Sequence, residues 1–227
     1  MRISAVLYAV VVLLLMMQPD FGQTALVSAV WVSQLFLVGI PWLWIGALGS
    51  VAAIGGFIAY MSVGHVASRV NRFFDPSSGD TYQVDTALNA FRTGGLFGRG
   101  PGEGVVKQVL PDAHTDFIFA VAGEEFGLIV CLFLAGLFAF VVLRGFSRLM
   151  QERDLFIVLA AGGLLVMFGL QAVINIGVNL NLLPSKGMTL PFVSYGGSSL
   201  LALAIAMGMV LAMTRIRAGA PGVGGGR

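Results

Sequence analysis

Six apolar runs, each close to the length of a bilayer crossing, leave this chain few ways to fold. A crossing helix needs about 20 mostly apolar residues. The runs cover residues 3–17, 24–40, 42–61, 117–143, 155–178 and 198–213, and between them stand breakers such as Pro19, Pro41, Pro184 and Pro191. Composition agrees: 57% of the 227 residues are hydrophobic, 11% are charged, and mean hydropathy is +0.91. A soluble domain carries about 25% charged residues, so an ordinary globule, a disordered chain and a charged coiled coil are excluded. Cys131 stands alone, which excludes a disulfide framework and a cysteine metal cluster. The net charge of +2 is small and scattered, so nucleic acid is not an expected partner. What remains is an all-α integral membrane protein, forming one polytopic domain over 1–214 with a Gly-rich tail at 215–227. Arg2 and the first run resemble a secretory signal, yet no small-residue cleavage site follows promptly, so the run reads as a membrane helix. The glycines of the third run suit close helix packing in lipid.

Short loops set the orientation. Arg144, Arg148 and Arg153 follow the fourth run, and Arg215, Arg217 and Arg227 follow the sixth, whereas Lys186 is the one basic residue between the fifth and sixth. The arginine-rich ends are therefore expected in the cytoplasm. The long polar stretch at 62–115 and the 179–197 connection then face outward together. The stretch carries Arg69, Arg72, Arg92, Arg99 and Lys107, but long loops translocate largely regardless of charge.

No phosphate loop, zinc pair or dinucleotide turn is present. Gly98 to Gly104 is glycine-dense but follows no strand pattern, and Ser194 lacks the glycine of a nucleophile elbow two residues before it. The most informative segment is Pro111-Asp112-Ala113-His114-Thr115-Asp116-Phe117, where a polar stretch enters an apolar helix. Two readings of Asp116 stand: a helix cap, with Thr115 or Asp116 starting the helix, or a partly desolvated carboxylate able to act as a base. His114 either tunes that group or is a solvated loop histidine. Glu124 and Glu125 sit eight and nine residues further on. A carboxylate at membrane depth costs about 2.5–3.5 kcal/mol, so each is either functional or paired with a basic residue to fix helix packing. Gln171, Asn175 and Asn179 form a stripe at i, i+4 and i+8, suited to interhelical hydrogen bonds or to a ligand. From Leu183 to Ser199, prolines, glycines, hydroxyls and Lys186 describe either an anion site or an interfacial re-entrant turn.

These residues bring a family into view. Pro111 to Glu125 and Lys186 to Ser199 closely resemble the signature segments of the SEDS family (shape, elongation, division and sporulation), bacterial polytopic proteins that polymerise peptidoglycan glycan strands. Gln18 to Gly22, Gly79 to Gln83 and Gly94 to Gly98 are similar to further family segments, and Lys186-Gly187-Met188-Thr189 resembles the cell-division branch more than the elongation branch. The resemblance implies a fold of about ten spans, of which this chain carries the last six, with four more expected upstream. It implies a glycosyltransferase that uses lipid II, a disaccharide-peptide on undecaprenyl pyrophosphate, as donor and acceptor. Asp116 matches the family's essential aspartate and is the expected catalytic base. Arg99, Lys107, His114, Glu125, Lys186, Ser194 and Ser198 are the expected substrate-binding residues, with Lys107, Arg99 and Lys186 assigned to the pyrophosphate. A divalent cation, magnesium or manganese, is an alternative carrier of that charge, although no protein metal site is evident. Expected partners are lipid II, a class B penicillin-binding transpeptidase, other divisome membrane proteins and membrane lipid. The expected place is the bacterial plasma (inner) membrane at the septum. Competing readings are a lipid II flippase, an elongation-type polymerase and a non-catalytic divisome scaffold.

Overall fold

Helix α1 (Arg2–Met17) ends where Gln18 and Pro19 interrupt the apolar run. Asp20 then starts α2 (Phe21–Leu37) three residues earlier than hydropathy alone suggests, because its carboxylate accepts a 3.0 Å bond from the Gln23 N–H. The two helices form an antiparallel pair: Tyr8 stacks on Trp31 at 4.3 Å, and its hydroxyl lies 2.8 Å from Ser28 Oγ. The remaining elements are α3 (Trp42–Ser62), α4 (Gly64–Phe74), α5 (Tyr82–Gly94), a 3₁₀ turn at Val106–Gln108, α6 (Ile118–Leu149), α7 (Leu155–Asn179) and α8 (Gly197–Met213). This computed structural model describes residues 2–75, 81–184 and 187–215, and every regular element among them is helical.

Three helices, α3, α6 and α7, are long and apolar enough to cross a bilayer, while α1, α2 and α8 are shorter apolar helices. Helix α7 is the hub. It packs against α6, α2 and α8, with Gln34 Nε2 of α2 donating to Leu159 O at 3.3 Å. Small residues allow close approach on the α6–α7 side, where a side chain on Gly145 would collide with Leu165. The glycines of α3 do not act this way. A Cβ built on Gly46, Gly49, Gly55 or Gly56 meets nothing within 4 Å, and α3 has no buried residue. Most of its large side chains face outward, and its length and hydropathy suit a bilayer crossing.

The 62–115 stretch is largely folded, with α4 following α3 directly and α5 lying against the first part of α6. Ala87, Ala90, Val106, Leu110, Phe117, Ala120 and Val178 make one buried cluster there, which fixes the polar connections to the helix ends.

Candidate active site

Residues 111–117 form a tight turn rather than the first turn of α6. Asp112 sits at φ 54°, and its carbonyl accepts from the N–H groups of Thr115, Asp116 and Phe117 at 3.1, 3.1 and 3.2 Å. Neither Thr115 nor Asp116 caps α6; its flanking residue is Phe117, with no side-chain cap bond. The capping work comes from the neighbouring helix, since Asn179 Oδ1 accepts from the Ala120 N–H at 3.0 Å. Asp116 is thus free of the bland role. Its carboxylate is half-buried and has no hydrogen-bond partner among the described residues.

The α7 stripe explains how Asp116 is held. Asn175 Nδ2 donates to the Asp116 carbonyl at 2.9 Å and to the Met188 carbonyl at 2.5 Å. Asn179 Nδ2 also donates to the Asp116 carbonyl at 2.9 Å. One turn away, Gln171 Nε2 reaches the Thr189 carbonyl at 3.1 Å. The three amides therefore bind main chain on two separate segments, not side chains of another helix. Asn175→Ala leaves the Met188 carbonyl without this donor and the Asp116 carbonyl with Asn179 alone, and is expected to cost about 1–3 kcal/mol. Thermal unfolding in detergent checks this, and an unchanged midpoint contradicts it.

The segment brought opposite Asp116 is 187–196. A Cβ on Gly187 would lie 3.3 Å from Asp116 Oδ2, so glycine lets the main chain approach the carboxylate. Ser194 stitches the turn: its hydroxyl donates to the Thr115 carbonyl at 2.6 Å and accepts from the Leu190 N–H at 2.7 Å. The Tyr195 N–H donates to the His114 carbonyl at 2.8 Å. His114 and Ser194 line a cavity of about 520 Å³ between the starts of α6 and α8, together with Ile118, Tyr195 and Leu200. Ser198 is exposed in the first turn of α8. Lys186 lies outside the described residues.

The other candidates form a second unit, built on a break in α6. Gly127 has φ 78° and ψ −178°. The carbonyls of Glu124 and Glu125 are released there and accept from the N–H groups of Arg99 and Gly100, each at 3.0 Å. The Leu128 N–H turns to the Gly95 carbonyl at 2.9 Å. A side chain on Gly98 or Gly127 would drive into the facing main chain, so these two positions require glycine on both counts, space and positive φ. Fully buried Glu124 accepts from the N–H groups of Val105, Val106 and Lys107 at 2.7, 2.8 and 3.1 Å. Glu125 pairs with Lys107 and accepts from the Gly102 N–H at 3.1 Å. Arg99 is exposed beside this cradle. Of the two readings for the glutamates, fixing the fold matches the geometry, through loop main chain for Glu124 and through Lys107 for Glu125. The contribution of main chain was not visible in residue types; the only hint was the glycine density from 94 to 104.

Burial pushes the Asp116 carboxyl above the ordinary aspartate range, and the neighbouring Asp112 carboxylate adds to the rise. Among the described residues no three His, Cys, Asp or Glu side chains gather as a metal cage.

The described fold is all-helical, and the site joins Asp116 at the start of α6 to the pinned 187–196 turn; together they define a polytopic membrane protein with a polar cluster at the helix ends. The FtsW/RodA/SpoVE model, described as a cell cycle protein, matches residues 1–218, and the chain belongs to that family. It is 52% identical over 223 residues to the probable peptidoglycan glycosyltransferase FtsW of Caulobacter vibrioides, covering 98% of this chain and 57% of that protein. The corresponding protein of Halothiobacillus neapolitanus is 41% identical, over 88% of this chain and 50% of its own length. Among solved structures, a chain from work on how a peptidoglycan synthase complex coordinates polymerization and crosslinking superposes with a TM-score of 0.74 at 30% identity, covering 95% of this chain and 61% of that one. A mutant of the rod shape determining protein RodA of Thermus thermophilus gives 0.60 at 28% identity, over 95% and 57%. The chain thus spans little more than half the length of these relatives.

Proposed function

We propose that this chain carries the reactive end of a peptidoglycan glycosyltransferase that polymerises lipid II during septal wall synthesis. One observation carries the proposal: a half-buried Asp116 carboxylate, without a hydrogen-bond partner among the described residues, held by its own main chain against the Gly187 segment. The acceptor GlcNAc 4-hydroxyl attacks C1 of the donor MurNAc, with inversion. A C–O bond forms, the bond to the lipid pyrophosphate breaks, and the hydroxyl proton passes to Asp116. Lys107, Arg99 and Lys186 are proposed to face the departing pyrophosphate, with His114, Ser194 and Ser198 shaping the substrate's surroundings and Glu125 acting only through its hold on Lys107. An apolar groove of about 800 Å³ between α6 and α7 offers a surface compatible with the polyprenyl tail. The division branch is supported by the 52% and 41% identities to proteins named FtsW, against 28% to RodA. A crosslinking penicillin-binding transpeptidase is the proposed partner, because the similar solved chain comes from a complex that coordinates both reactions. The arginine pattern supports an outward-facing site, and the similarity to proteins named FtsW supports the bacterial plasma membrane at the septum as its place.

Purified protein given lipid II tests this directly. Asp116→Asn abolishing polymer supports the enzyme. Polymer formed as before, with lipid II transbilayer movement blocked, favours a flippase; neither assay responding while septal recruitment does favours a scaffold. The pH profile gives a second check. Asp116 must be ionised to take the proton, and its carboxyl sits above the ordinary value, about 3.9 for aspartate. The acid limb of kcat/KM should therefore lie above that range, the rate falling as pH drops through it. A profile flat down to the ordinary range contradicts the base role.

A further inference from the structure

We propose that α4 is a lipid-binding helix that lies along the bilayer surface at the end of α3 and prefers membranes rich in anionic phospholipid. The placement follows from the chain path. Helix α3 is a membrane-crossing helix ending at Ser62, and one extended residue, Val63, separates it from α4. Nothing longer intervenes, so α4 begins at the membrane boundary. Tyr60 Oη donates to Asn71 Oδ1 at 2.9 Å and holds the bend.

The face pattern supplies the chemistry. At 100° per residue, Val66, Val70, Phe73 and Phe74 fall on one side with Ala67, and Ser68, Asn71 and Arg72 fall on the other. Arg69 stands at the margin beside Phe73, where its stem can follow apolar surface while the guanidinium reaches outward. The helix holds no acidic residue, Asp75 being its flanking C-cap. None of its described side chains is buried, and Phe74 is 79% exposed. Its packing is against α3 alone among the well-contacted elements. This apolar face, with Phe74 exposed and Val66, Ala67, Val70 and Phe73 half-buried, is continuous with an apolar helix and edged by arginines, and matches an interfacial helix on a negative surface. Charge complementarity selects anionic headgroups as the occupant.

Spin labels on the full chain in vesicles test it. In a Cys131→Ser background, Val70→Cys and Ser68→Cys are labelled separately in phosphatidylcholine, with and without phosphatidylglycerol. The Val70 label should meet oxygen and be shielded from an aqueous nickel reagent, and the Ser68 label the reverse. Adding phosphatidylglycerol should raise the docked-to-undocked ratio, by about fivefold per arginine, and Arg69→Gln with Arg72→Gln should remove that gain. Equal nickel access at both labels overturns the proposal. So does a Val70 label shielded from both reagents, which means a protein surface covers α4, or a docked fraction indifferent to lipid charge.

Discussion

Asp116→Asn is expected to lower lipid II polymerisation by about 10²–10⁴-fold, the range lost when a positioned general base is removed. It is also expected to leave the protein at least as stable at neutral pH. The folded state raises this carboxyl above its unfolded value, by burial first and by Asp112 second. A group shifted upward contributes stability below its unfolded pKa and loses it as pH rises through the folded one. At neutral pH the charge is therefore held against its preference, and a neutral amide relieves that. Polymerisation and thermal unfolding measured on the same preparation separate a lost base from a lost fold. An inactive variant whose unfolding midpoint drops sharply would show that Asp116 is structural, and full activity would remove it from the chemistry.

Glu124→Ala carries the largest expected effect on stability. Its carboxylate is fully buried and satisfies three consecutive main-chain N–H groups. Truncation strands those donors away from water and should cost about 3–5 kcal/mol. Glu124→Gln keeps one acceptor oxygen but points an amide N–H₂ at other donors, so it recovers only part of the loss. Lys107→Ala is the useful contrast. Its partner Glu125 is buried but keeps the Gly102 N–H when the lysine is lost, so the expected cost is smaller, about 1–3 kcal/mol. Detergent unfolding should rank the variants accordingly. Comparable midpoints for Glu124→Ala and Lys107→Ala would refute the cradle as described.

Apolar length made the helices of this chain legible, and the aspartate stood out because a charge there interrupts that pattern. The Gln171, Asn175 and Asn179 spacing was equally readable as one face of α7. What it touches was not, since its main targets are carbonyls at 116, 188 and 189, and carbonyls are common to every residue. The two outer helices were hidden for a different reason. In α4 and α5 polar and apolar residues are balanced, so no apolar run stands out and the segment looks like loop. The 3.6-residue recurrence of Val66, Val70, Phe73 and Phe74 was the available signal. The α6 break was unreadable because the main chain inserted into it comes from residues 95–100, more than 20 positions earlier.

Asn175 grips residue 116 with the same amide nitrogen that grips residue 188. Rocking α7 consequently carries both in step, like two passengers on one platform. A load on this helix is expected to change where the pair is aimed while their mutual spacing stays constant. On the mechanism proposed above, such control would act on access and alignment of the substrate rather than on the immediate setting of residue 116.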